Sequence, residues 1–153
     1  MLDWAGLEAA TPEIAETGMR LLRARGGDVL LATVRGDELP RIHPVTATVV
    51  GRGLFAFVIV GSAKLRDLSE DGRYAISVQQ DPAAPDEFAL RGRARVVTDE
   101  VARAEVAGSW AFEVDEGYAL VEFLVDSALV GLRPTADDWP PRYQSWSVAK
   151  PVR

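Results

Sequence analysis

The residues best placed to do chemistry are Ser62-Ala63-Lys64. They follow an apolar run, Leu54 to Val60, closed by Gly61. That order predicts a strand, a turn, and a short helix with Ser62 as its N-cap and with Leu65 and Leu68 facing inward, stopped at Gly72. At such a point unpaired backbone N–H groups, a hydroxyl and an ammonium converge, which suits the seating of a phosphate. Taken alone, a capping serine with a lysine two residues on is also an ordinary solvated helix start. The lysine stands out on composition: of 17 Lys and Arg only Lys64 and Lys150 are Lys, and the chain has no Asn. This is the bias of a GC-rich genome, in which drift favours Arg.

Other catalytic arrangements lack parts. His43 is the single histidine, so a two-histidine zinc site cannot be built within one chain. No G-x-S-x-G elbow is present to expose a serine nucleophile. A strand position predicts for His43 a hydrogen-bonded, partly buried ring. The absence of Cys excludes disulfides, thiolate metal sites and cysteine nucleophiles. Gly51-Arg52-Gly53 leads into a strand rather than a helix, so it is a turn and not a dinucleotide fingerprint. No residue is nominated as a catalyst and no metal site is expected. Arg91, Arg93 and Arg95 alternate with Leu90, Gly92, Ala94 and Val96, which predicts a solvent-facing stripe paired with cross-strand acids, or else an anion contact.

The elements that must hold these residues are mostly strands. Thr11 as N-cap, Pro12 at the first helical position and the spacing of Ile14, Gly18, Leu21 and Leu22 predict an amphipathic helix ended by Gly26-Gly27. Strands are expected over Val29 to Arg35, Arg41 to Val50, Leu54 to Val60, Tyr74 to Gln79 and Phe88 to Val97, with a final pair over Tyr118 to Val125 and Ala128 to Leu132. Pro44 implies an edge position or a bulge in its strand. A helix from Thr98 to about Ala107 follows the arginine stripe, and the tail from Pro134 to Arg153, with Trp139, Tyr143 and Trp146, should pack on the body or on a partner. Six or seven strands with two or three helices, and no regular alternation between them, give an antiparallel α+β class, mainly β, that hides its edges as a closed or half-closed barrel.

At 153 residues the chain is expected to be a single domain, 1–153. A net charge of −6 and a pI near 4.8 offer no pull toward phosphate backbones, so nucleic acid is not an expected partner. No apolar run approaches the ~18 residues that span a bilayer, so no membrane partner is expected. The first residues have neither a basic n-region nor an apolar h-region, and the expected place is the cytoplasm.

Four segments taken together carry a resemblance: Pro40-Arg41-Ile42-His43-Pro44-Val45, Phe55-Ala56-Phe57-Val58, Ser62-Ala63-Lys64 with Leu65 and Leu68, and Gly92-Arg93-Ala94. Over about residues 12–106 the chain resembles the pyridoxamine-5′-phosphate-oxidase-like FMN-binding split-barrel family. The resemblance implies a six- or seven-stranded antiparallel split barrel with small flanking helices, forming a homodimer with the cofactor in the cleft between subunits. It implies that Arg41, Ile42, His43, Pro44 and Val45 line the flavin ring, that Phe57 and Val58 lie on the neighbouring strand, and that Ser62 and Lys64 take the phosphate. The function implied is an FMN-dependent oxidoreductase acting on a small molecule. The alternatives are a reductase using a deazaflavin coenzyme, and a non-catalytic flavin- or haem-binding module with His43 as the only histidine ligand. Two departures leave the substrate open. Ala63 stands where pyridoxamine phosphate oxidases carry an Arg, and their C-terminal Arg-rich motif is not matched by Trp139-Pro140-Pro141-Arg142-Tyr143.

Overall fold

A computed structural model describes residues 1–149. The elements run α1 (Trp4–Ala10), α2 (Pro12–Ala24), β1 (Asp28–Thr33), β2 (Arg41–Thr46), β3 (Thr48–Val50), β4 (Gly53–Ile59), α3 (Ala63–Glu70), β5 (Arg73–Val78), β6 (Glu87–Val97), α4 (Glu100–Gly108), β7 (Tyr118–Leu132) and β8 (Arg142–Ser147). The strands pair antiparallel in the order β2-β1-β5-β6-β7-β4-β3, and β8 pairs with β7. The two ends of that path, β2 and β3, are consecutive in the chain and separated only by Ala47. One segment therefore supplies both edges of the curled sheet, which is the expected split barrel.

Ala47 is the corner of this arrangement. Its N–H donates to the Gly27 carbonyl at 2.8 Å. Gly27 has φ +83°, and a Cβ there would lie 2.5 Å from the Ala47 carbonyl oxygen, so only glycine lets the start of β1 approach the corner this closely. Pro44 lies in β2, which hydrogen-bonds as a strand only to β1. An edge strand tolerates the missing N–H, as expected.

Alternation decides which side chains enter the core. Val29, Leu31, Ile76, Phe88, Leu90, Phe123 and Val125 face inward, and Ile14, Leu21 and Leu22 of α2 pack on them. A second, smaller cluster of Phe55, Phe57, Val106 and Leu120 lies between β4, β7 and α4, with Trp110 and Tyr118 packed on it.

Four elements differ from the sequence expectation. The single strand expected over Arg41 to Val50 is broken at Ala47 into β2 and β3. Helix α1 is additional; Asp3 caps it by accepting from the Gly6 N–H at 2.7 Å, and its Trp4 and Leu7 are fully buried. Tyr118 to Leu132 forms one long strand instead of two, with Asp126 as a bulge: Gly92 pairs with Val125 and Arg91 with Ser127, leaving Asp126 unmatched. The polar pair Asp126-Ser127 thus marks an extra residue within a strand rather than a turn. Part of the tail adds an eighth strand, β8. The arginine stripe is as expected, exposed along β6, with Arg95 Nε donating to the cross-strand Glu122 at 2.7 Å.

Candidate functional site

A cleft of about 430 Å³ opens beside the start of α3. Pro44, Val45 and Thr46 of β2 form one wall, and Phe57 and Ile59 of β4 with Tyr118 of β7 form the floor. Trp110 and Phe112, from the loop after α4, close another side, and Lys64 enters from the first turn of α3. The floor is held rigidly. Trp110 meets Phe57 edge-to-face, with ring centroids 5.0 Å apart and planes at 84°. Arg103 lies over the Phe57 ring, its Cζ 5.3 Å from the centroid, and donates to the carbonyls of Tyr118 and Asp115, both at 2.8 Å. One guanidinium thereby ties α4, the loop and β7 beneath the cleft.

Ser62 caps α3: its Oγ accepts from the Leu65 N–H at 3.3 Å, which leaves its own O–H available as a donor. Lys64 is half-buried and forms no ion pair among the described residues. The Lys64 ammonium and the start of α3 thus stand at one end of a cleft lined by aromatic and apolar side chains together with Asp28, Thr46 and Gln79, and the Ser62 hydroxyl caps the adjoining turn.

Behind β2 lies a charged network that anchors it. Asp67 of α3 is 1% exposed and accepts from Arg41 Nη1 with both oxygens, at 3.0 and 2.9 Å. Arg41 Nη2 donates to Glu38 at 2.8 Å. The buried Thr33 hydroxyl donates to Asp67 Oδ2 at 2.8 Å and lies 3.2 Å from His43 Nε2. Burial, and then the Lys64 ammonium, hold His43 below the usual histidine value; Asp67 pulls the other way, and Arg41 adds to the lowering.

The sequence-predicted residues are therefore not all on one surface of the protomer. Pro44, Val45, Phe57 and Lys64 line the cleft together. Arg41 and His43 stand behind it in the Asp67 network, and Ser62 caps the adjoining helix. Val58 is fully buried in the main core, as its place between Phe57 and Ile59 on a two-sided strand dictates. Ile42 points to the outer face of the sheet, 70% exposed, where with Leu30, Ala32, Ala89, Leu129 and Trp146 it borders a separate apolar groove of about 590 Å³. Thr46, Trp110, Phe112 and Tyr118 also line the cleft. The only signal for them in the sequence is an aromatic cluster after a helix, which fits any core equally well.

Because the native fold favours neutral His43, the unfolded chain binds more protons than the native one as pH falls. The resulting stability is fully present above the ordinary histidine pKa and fades below it. In thermal unfolding from pH ~7 to pH ~5, across the histidine range, the wild-type Tm is expected to fall further than that of His43→Gln. A steeper fall in the variant would contradict the assignment.

Residues 27–130, more than half of the chain, match the family described as Pyridoxamine 5′-phosphate oxidase. The chain belongs to that family. No curated protein matches it in sequence. Among solved structures, this member of the pyridoxamine 5′-phosphate oxidase family is similar to PhzG from Burkholderia lata 383, which was crystallised with tetrahydrophenazine-1-carboxylic acid. The TM-score is 0.67 at 12% identity, covering 93% of this chain and 91% of the other. It is similar to a heme binding protein from Mycobacterium smegmatis, with TM-score 0.62, 20% identity and coverage of 84% and 56%. General Stress Protein 26 from Bacillus anthracis gives TM-score 0.57, 15% identity and coverage of 82% and 96%. At these identities the neighbours establish the shared fold of the pyridoxamine 5′-phosphate oxidase family. Among the described residues no helix is long and apolar enough to cross a membrane, and no group of His, Asp and Glu is arranged to hold a metal ion.

Proposed function

We propose that the protein is an FMN-binding oxidoreductase that works as a homodimer. The observation that carries this reading is the make-up of the cleft: the Lys64 ammonium at the start of α3, a broad aromatic and apolar surface of Phe57, Trp110, Phe112, Tyr118, Pro44 and Val45, and Asp28, Thr46 and Gln79 as its other polar groups. A planar aromatic ring with a phosphate tail matches such a site end for end. When bound, the flavin supplies the electron-carrying chemistry. The chain's own part is to bind and orient. Lys64 and Ser62 take the phosphate, the β2 backbone and the aromatic floor hold the ring, and the loop carrying Trp110 and Phe112 limits water. A deazaflavin coenzyme, with a similar ring and a phosphate-bearing tail, meets the same polarity and is the close variant.

The dimer is supported by the two faces of β2. Val45 belongs to the Lys64 cleft and Ile42 to the outer groove, so a single ligand meets both only where two subunits adjoin. The exposed Leu30 and Ile42 make the outer face an apolar patch of the kind that a second protomer covers.

Purified protein is expected to be yellow or to become so on titration with FMN, with a light-scattering mass near twice 16.6 kDa. Tight binding of a deazaflavin coenzyme in place of FMN would move the reading to the variant. Binding of neither would overturn it. A second reading, a haem-binding module, draws on the similarity to the mycobacterial heme binding protein. Its only candidate histidine, His43, already has Nε2 engaged at Thr33. A Soret band on haem addition, without flavin binding, would favour it.

A further inference from the structure

The hydrogen bonds behind β2 have only one consistent proton order. Asp67 is doubly bonded by the Arg41 guanidinium and, as a carboxylate, can only accept. The Thr33 hydroxyl must then spend its single proton on Asp67 Oδ2 at 2.8 Å. Its oxygen lone pair is what remains for His43 Nε2 at 3.2 Å, so that nitrogen must carry the proton. The other ring nitrogen, Nδ1, has no partner among the described residues. No buried side-chain nitrogen or oxygen lacks a partner among them, so Nδ1 is open to solvent. His43 does not itself line the cleft, but the ammonium of Lys64, which does, acts on its ring.

We infer that Asp67, Thr33 and His43 form a proton-ordered chain that fixes His43 as the Nε2–H tautomer and leaves the solvent-open Nδ1 as a proton acceptor for a ligand seated beside Lys64. The identity of the ligand rests on the flavin reading above; the proton order does not. The charged groups around the ring are Lys64 and Asp67 from α3 and Arg41 from β2, with Arg35 and Glu38 bonded at the far side of the network. Burial and the two cations keep the ring neutral at neutral pH, so the Nδ1 lone pair is available. It takes a ligand that presents an N–H or O–H. If that bond breaks, the electron pair stays on the ligand atom, the proton forms the Nδ1–H bond, and the imidazolium keeps donating from Nε2 to Thr33. The buried Asp67 carboxylate then faces the new positive charge across one hydroxyl. Thr33 and Asp67 are positioning residues in this arrangement, and His43 alone of the three has a ring nitrogen left for a ligand.

His43 is the sole histidine, so long-range ¹H–¹⁵N correlations on the ¹⁵N-labelled full chain read one imidazole. At neutral pH Nε2 is expected to show as the protonated nitrogen and Nδ1 as the bare one. Thr33→Ser keeps the pattern, and Thr33→Val, which removes the acceptor, moves it to a mixture of tautomers. A wild-type ring protonated on Nδ1, or a folded Thr33→Val with the wild-type pattern, overturns the inference. Should Thr33→Val fail to fold, the wild-type and Thr33→Ser patterns still decide it. On addition of FMN, with binding followed by absorbance, the Nδ1 resonance is expected to move more than Nε2. Bound FMN with an unmoved Nδ1 overturns the acceptor role and leaves the flavin reading standing. Absence of FMN binding overturns the flavin reading, while the tautomer still decides the proton order.

Discussion

Lys64→Ala is expected to weaken FMN binding by about 10- to 150-fold while leaving riboflavin nearly unaffected. A charge-assisted contact between an ammonium and a phosphate at a helix N-terminus is worth roughly 1.5–3 kcal/mol, and that range converts to this factor. Riboflavin has the same ring without the phosphate, so the ratio of the two affinities isolates the contact. Lys64 makes no competing ion pair among the described residues, so its removal leaves no protein acid uncompensated. Ser62→Ala should show a smaller version of the same ratio, together with a stability loss of about 1 kcal/mol, because its Oγ caps α3. Equal losses for FMN and riboflavin would point instead to a damaged fold. Lys64→Ala also removes a charge that depresses the His43 pKa. The imidazole should therefore titrate at higher pH in the variant, a change visible by NMR without any ligand.

The second large effect concerns the barrel rather than the cleft. Gly92 sits opposite the Asp126 bulge, and a Cβ there would lie 1.9 Å from the Leu124 carbonyl oxygen and 3.0 Å from the Asp126 nitrogen. Both are backbone atoms of a central strand, so no side chain can rotate away. Overpacking of this kind costs about 3 kcal/mol or more. In a domain of this size that corresponds to a Tm drop of roughly 6–12 °C for Gly92→Ala, from about 2–4 °C per kcal/mol. Gly108→Ala, with open space around its Cβ position, is the matched control and should move Tm little. An unchanged Tm for Gly92→Ala would mean that β6 and β7 are not held in this register.

Much of this architecture was legible in the sequence because its signals are local. Pro44 within a strand requires an edge or a bulge, and the edge is what is found; the Ser62 cap requires a helix start and the alternation from Phe88 to Val97 one buried face, and both hold in the fold. What could not be read depends on distant partners. Asp126 resembles a turn residue until Gly92 is opposite it. Helix α1 is short and is stabilised mainly by burying Trp4 and Leu7, which no periodicity within seven residues announces. In the candidate site, the place of Lys64 in the first turn of a capped helix was legible, but Asp67 looks like any charged helix residue. Its burial follows only from where Arg41 and Thr33 arrive from two other strands. Ile42 illustrates the converse: it neighbours His43 in sequence, yet the strand's period of two sends it to the opposite face.

The corner at Ala47 has a mechanical consequence. Inner strands are clamped from both sides, whereas β2 is bonded along one flank only and held at its end by the peptide chain that becomes β3. Peeling β2 away therefore breaks one ladder and the Arg41–Asp67 and His43–Thr33 contacts, and leaves the packed interior of β5, β6 and β7 intact. In amide exchange, β2 should belong to a cooperative unit that opens well below the free energy of global unfolding. The cleft wall is thus more easily released than the inner strands, and a molecule seated against it can be admitted or let go without melting the core.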